Sequence, residues 1–269
     1  MTLKSKKRKM IAAAIVVGIL VLIALFSEVL APNDPYTTNA LYIRKAPSPQ
    51  FLFGTDNLGR CVFSRVLVGT KTTIAATFFL VGVSFLLGTF IGMLCGYYGG
   101  IIDDVLMRIA DLMLAFPQMV VAIAVAGILG GGLGGALIAL GVTLWTSFAR
   151  LARSHTKSIK NEPYIIVAKM SRKNGAYILM RHILPNIVEP VFMNALTQIG
   201  STMIGISGLS FLGLGVVPPQ AEWGSMIAEA RAYIQIAPWA VLFPAAATIV
   251  TIVSFNYLGD AVMEYKNAK

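Results

Sequence analysis

From Thr72 to about Tyr98 the chain holds no charged side chain, and most of the residues in that run are apolar. A stretch of about 20 such residues crosses the hydrocarbon core of a bilayer as a helix, because only internal hydrogen bonding satisfies the backbone where no water reaches it. The feature recurs. Residues 10–30, 104–130, 134–150, 184–216 and 239–260 each read as a further crossing, with 72–98 the second. With 57% hydrophobic and only 13% charged residues, 269 residues accommodate six spans and loops but no large soluble domain. The expected fold is all-α, a polytopic membrane protein of six transmembrane helices.

The first span follows the basic run "KSKKRK", residues 4–9. A signal peptide shares that outline, but the apolar run is longer than an h-region and no A-x-A-like site follows, so an uncleaved span is expected. Three parts result: a basic N-terminus with the first helix at 1–30, an external segment at 31–70, and a five-helix core at 71–269 that contains a polar, basic segment at 151–182. Gly88, Gly92, Gly96 and Gly100 recur every fourth residue, which lines one helix face with small residues and invites close packing. Arg108 and Asp111 sit one turn apart and are placed to pair. Pro117 is placed to kink the third span.

Orientation follows from the cations. Both termini, Arg108 and the 151–182 segment share one side, and that side holds sixteen of the 22 Lys and Arg, Lys269 among them. By the positive-inside rule the termini are cytoplasmic. The net charge of +10 is spread beside apolar runs in this way, which argues against nucleic acid. Cys61 and Cys95 lie far apart and have no metal-ligand spacing.

Several chemistries lack their residues. No Asp, Glu, Lys or Arg lies at the centre of an expected span, which argues against a proton-coupled pump and, less strongly, an ion-coupled carrier. His155 and His182 both fall in the cytoplasmic segment, and no protease-like cluster lies within the spans. A phosphate-binding loop is also missing, since Thr70 separates Gly69 from Lys71. No residue is assigned a catalytic or metal-binding role, and no cofactor is expected in this chain. Energy for uphill movement has to come from a partner.

"NEPYIIVAKMSRKNGAYILMRHILPN", residues 161–186, stands out within the cytoplasmic segment. Pro163 suits a first helical turn, and Asn174-Gly175 reads as a stop. A helix over 163–173 is about 16 Å long, too short to span. Its apolar members suit either a groove in a second protein or the lipid surface, and the residue pattern leaves both open.

This stretch, with its trailing "RHILPN", resembles the EAA loop of ABC-importer permease subunits. "FGTDNLGRCVFSRVLVGT" (53–70), "LSFLGLGVVPPQAEWGSMIAEAR" (209–231) and "PWAVLFPAAATIVTIVSFNYLGDAV" (238–262) are similar to the dipeptide/oligopeptide/nickel permease family, C-type subunit. The resemblance implies a type I (MetI-like) importer permease fold in the cell membrane. It also implies a heterodimer with a homologous B-type permease subunit, two cytoplasmic ATPase subunits that bind ATP and Mg, and an external solute-binding protein. The 163–173 helix would couple to the ATPases through Tyr164, Ile166, Val167, Ala168, Met170 and Arg172.

The pattern departs from the family at several points. Ile166, Val167 and Ala168 stand where Glu-Ala-Ala is usual, Arg172 stands at the usual glycine, and "GISGLSFLGLG" lacks the Glu found in peptide permeases. These departures favour nickel or a metal chelate as cargo. Dipeptide or oligopeptide import is the alternative within the family, and a self-sufficient channel or facilitator is the alternative outside it. Cys61 replaces an expected Asp and reads as packing. Glu189 is placed either to pair with a base of the coupling segment or to stand as a solvated interfacial charge. Glu222, Trp223, Glu229 and Arg231 are expected at an external gate or binding-protein contact, and Met203, Ser207 and Ser210 are candidates for the pathway, with packing the simpler role for the methionine.

Overall fold

The structure is a computed structural model and describes residues 3–266; Lys269, counted above among the cytoplasmic cations, lies outside the described residues. It is all-helical apart from one isolated bridge between Thr55 and Cys61. The helices are α1 Leu3–Leu25, α2 Ser27–Leu30, α3 Val62–Tyr98, α4 Gly100–Leu114, α5 Gln118–Ile128, α6 Gly132–Ile159, α7 Pro163–Met170, α8 Gly175–Ile178, α9 Leu184–Phe211, α10 Trp223–Ala230 and α11 Trp239–Lys266. A π-helical turn, Leu179–Ile183, joins α8 to α9.

Four helices, α1, α3, α6 and α11, are long and apolar enough to cross a membrane, and α4 with α5 makes a fifth if the bent pair is one span. The expectation of six is met only in this coarser form. The 28-residue α9 is long enough to cross, at about 1.5 Å per residue, but carries Pro190, Glu189 and several amides. At Pro117 the break is a 95° bend and not a mild kink. Proline has no amide to donate and displaces the residue before it from helical angles, so the chain leaves α4 at Ala115 and restarts at Gln118.

Two boundaries differ from expectation. Helix α3 begins at Val62, so its first nine residues lie in what reads as the external segment, and α6 continues to Ile159 through residues that read as loop. Polar residues hid both extensions. Arg65, Arg153 and Lys157 each find an acidic partner, which lets helix continue past the apolar run.

The α3–α6 contact is the centre of the bundle. A Cβ on Gly88 would lie 2.4 Å from the Trp145 carbonyl oxygen, one on Gly92 2.1 Å from that of Ala149, and one on Gly96 2.8 Å from that of Arg153. The glycines therefore let two backbones touch. Gly100 is not part of this contact; it has φ +66° and nothing within 4 Å. The paired numbers rise together, so α3 and α6 run parallel. Helix α9 runs antiparallel to α11, with Gly200 on Asn256 and Gly259 on Leu196. Between them, Phe148, Leu140, Ile187, Met203, Ile206 and Leu209 are fully or almost fully buried.

Candidate functional site

Two sites stand at opposite ends of the bundle. At the end where α3 stops and α6 runs out, a tight turn at 160–162 leads into α7, with Glu162 extended and Pro163 in the first helical turn. Ile165 and Ala168, one turn apart, face the protein and are buried. Tyr164, Ile166, Val167 and Met170 point away, 45%, 46%, 61% and 79% exposed. Four large apolar side chains on the free face of an eight-residue helix make a surface suited to a partner. Ala168, expected on that face, is part of the support, and Ile165, one of the helix's apolar residues but not among those expected to couple, is its main anchor.

The stop differs from expectation. Asn174 is not left-handed; its side chain accepts from the Ala176 amide and caps the start of α8. The left-handed residue is Arg172, at φ +53°. Its amide donates to the Lys169 carbonyl at 3.0 Å and the Lys173 amide donates to that of Ala168 at 3.3 Å. That pair of bonds is a Schellman stop, in which glycine is the usual left-handed residue. The mount is also tied to the bundle. The Lys169 ammonium lies 5.6 Å from the centre of the Tyr97 ring, and Asp103 of α4 accepts from Arg153 at 2.7 Å and Lys157 at 2.8 Å on α6. Asp111 pairs with Arg150 at 3.6 Å and not with Arg108. Glu189 pairs with Lys266 and not with the coupling segment. In both cases a neighbouring helix brings a cation closer than the expected partner comes.

At the other end, residues 31–61 fold back over the bundle and meet α10. Arg60 and Arg65 are 2% and 1% exposed, yet both are guanidinium ions. Arg60 Nε donates to Asp56 Oδ2 at 2.6 Å and Nη2 donates to Glu229. Arg65 lies 3.6 Å from both carboxylates and donates to the Pro35 and Pro219 carbonyls at 3.3 and 3.2 Å. Burial alone would lower the Arg60 pKa, but Asp56 and Glu229 more than offset it, and the net shift is upward. Two cations and two carboxylates thus bind the external segment, α3 and α10 into one cap.

Glu222 is fully buried and caps α10, accepting from the Gly224 and Ser225 amides at 2.9 and 2.8 Å and from the Ser207 hydroxyl at 3.2 Å. Trp223 is buried, with its indole N–H donating to the Val66 carbonyl at 3.0 Å. Arg231 is exposed over the Phe211 ring. The four residues expected at this mouth do lie together, but Glu222 and Trp223 are its internal struts. Asp56, Arg60 and Arg65 were missed as a site, although an Asp four residues before one Arg, with a second Arg at the start of an apolar run, was there to read. Ser210 accepts from the Val216 amide and Met203 is wholly buried, so both are structural. Cys61 is buried within 3.5 Å of Asn33 Nδ2. Among the described residues, no three His, Cys, Asp or Glu side chains gather as metal ligands.

Comparison with known proteins shows the family. Residues 88–269 match the family described as "Binding-protein-dependent transport system inner membrane component". Residues 3–47 match "N-terminal TM domain of oligopeptide transport permease C". The chain is 37% identical over 265 residues to the dipeptide transport system permease protein DppC of Alkalihalophilus pseudofirmus, a match that covers 98% of this chain and 87% of that one. It is 39% identical over 260 residues to the glutathione transport system permease protein GsiD of Pectobacterium atrosepticum, covering 96% and 86%. It is 40% identical over 258 residues to GsiD of Escherichia coli O6:K15:H31, covering 96% and 85%. The chain belongs to the binding-protein-dependent transport permeases as an OppC-like, C-type subunit, a multi-pass inner membrane protein that serves transport and is not an enzyme.

Proposed function

We propose that this chain is the C-type half of an ATP-driven importer of short peptides, dipeptides or glutathione-like tripeptides, and that α7 is its handle for the ATPase subunits. The relatives named for dipeptide and glutathione transport support peptide cargo over nickel, which the departures in the coupling segment and in "GISGLSFLGLG" had favoured. The departures in the coupling segment are weak evidence on cargo for a physical reason. Ile166 and Val167 face outward at the cytoplasmic end, far from any cargo, so their identity reports on the motor that grips them.

The partners in this reading are a homologous B-type permease, two ATPases that carry ATP and Mg, and an external binding protein. Six crossings are part of the reading. Parallel α3 and α6 support a return across the membrane between Tyr98 and Gly132, with the bent α4–α5 pair as that crossing. Antiparallel packing of α9 on α11 supports α9 as another. Gripping α7 couples to transport only if the ATPases prefer one position of the helix over the other, since equal affinity for two states shifts nothing.

The observation that carries the proposal is the exposed apolar face of α7 on a buried mount. Reconstitution in proteoliposomes with the co-encoded permease, ATPases and binding protein tests it. Labelled dipeptide or glutathione should enter only with ATP, and Val167→Asp should cut uptake at least about tenfold, a loss of ~1.4 kcal/mol or more in coupling. ATP-independent flux through this chain alone would support a channel instead, and uptake of nickel without peptide would restore the metal reading.

A further inference from the structure

The first helix carries Lys4, Lys6, Lys7, Arg8 and Lys9 on its opening turns, and none of the five is buried. The first turn holds no acid. Among the described residues, none of these cations has a carboxylate within 4 Å, although Asp260 and Glu264 lie on the closing turns of the neighbouring α11. Five cations with no carboxylate partner among the described residues, at the positive end of a helix dipole, attract further counter-anions.

We propose that this end of α1 is a docking surface for anionic phospholipid headgroups. Three observations favour lipid over a protein. Lys4 to Lys9 extend about 8 Å along the axis, the depth of one headgroup layer, about 5–8 Å, and the apolar run begins directly after them at Met10. At about 100° per residue the five side chains surround the helix, an arrangement that a ring of lipids meets and a single protein face does not. Helix α1 is also peripheral. Its buried members are only Ala13, Val17 and Ala24, while Ile11, Ile15, Ile19 and Leu22 are 45–57% exposed, so acyl chains can line it below the headgroups. The proposal does not depend on which cargo is carried.

Native mass spectrometry of the purified full chain in neutral detergent tests it, with phosphatidylglycerol and phosphatidylcholine of identical acyl chains as probes. Lipid binds there after solubilisation, so the readout is independent of membrane orientation. The wild type should retain phosphatidylglycerol at least about tenfold better, because each surface cation adds about 1 kcal/mol of attraction to anionic lipid. The variant with all five residues replaced by Gln should fall to within about twofold, and Lys→Arg at positions 4, 6, 7 and 9 should keep the preference. If the five-fold variant fails to fold, Lys6→Gln with Lys7→Gln should give a partial loss. Equal binding of the two lipids by the wild type overturns the proposal. So does a Gln variant that keeps its lipid preference while losing co-purified ATPase, which would assign the surface to protein.

Discussion

Arg172 holds a conformation in which an L side chain is strained by roughly 1–2 kcal/mol, and it does so at the C-terminal stop of α7. Arg172→Gly should therefore raise the melting temperature in detergent, with a gain of about 1 kcal/mol; a lower melting temperature would mean that the exposed guanidinium holds the stop in some other way. A second residue reports on the cap. Tyr233 is buried with its hydroxyl donating to Asn57 Oδ1 at 3.2 Å, and burial, the largest cause, pushes its pKa from 10.0 up to about 12. The folded cap favours the neutral phenol. That contribution is fully present below about pH 10, where an unfolded tyrosine titrates, and is lost as pH rises toward 12. Ultraviolet difference absorbance should show late tyrosine ionisation that is reduced in Tyr233→Phe, and the variant should lose less stability between those pH values. Apolar residues crowding a loop made residues 164–170 legible as a helix that meets something. The sequence did not show that Ile165 and Ala168 turn inward, or that Glu229 meets Arg60, because such pairings depend on which elements fold together across more than a hundred residues.

Helices in this chain are placed by glycine as much as by hydrophobicity. Gly92 lets α3 lie against the backbone of α6, and even a methyl group there would lie 2.1 Å from the Ala149 carbonyl oxygen. Lipid tails are as apolar as the helices, so the contact depends on close packing, and parting the backbones forfeits it. Gly92→Ala should destabilise by roughly 1–3 kcal/mol, as overpacking does. Gly82→Ala, with nothing within 4 Å, should be neutral or slightly stabilising. If both variants melt alike, the glycine face is not what joins α3 to α6. The period-four glycines made most of this contact legible in advance, and the fourth member, Gly100, failed because the helix had already ended at Tyr98. Proline was legible as a disturbance at 117, but its size was not: a 95° turn depends on the room α6 and α9 leave for α5, which no local pattern encodes.

At the scale of the whole molecule, composition finds four spans or five, while helix direction asks for six. The difference can be measured because both native thiols are buried, Cys61 at 2% and Cys95 at 1% exposed, so an impermeant maleimide should leave the parent chain unlabelled in intact cells. Thr37→Cys in the external segment and Leu129→Cys at the end of α5, which is 47% exposed, should both label from outside. Met170→Cys, at 79% exposure on α7, should label only after the membrane is opened, in cells that lack the ATPase subunits. The Leu129 result decides the matter. If α4 and α5 formed a re-entrant loop, α5 would end on the cytoplasmic side, α6 would start there, and α3 and α6 could not run parallel through the glycine contact while both cross. Labelling of Leu129→Cys from the same side as Met170→Cys would therefore overturn the crossing count and the parallel pair of spanning helices together.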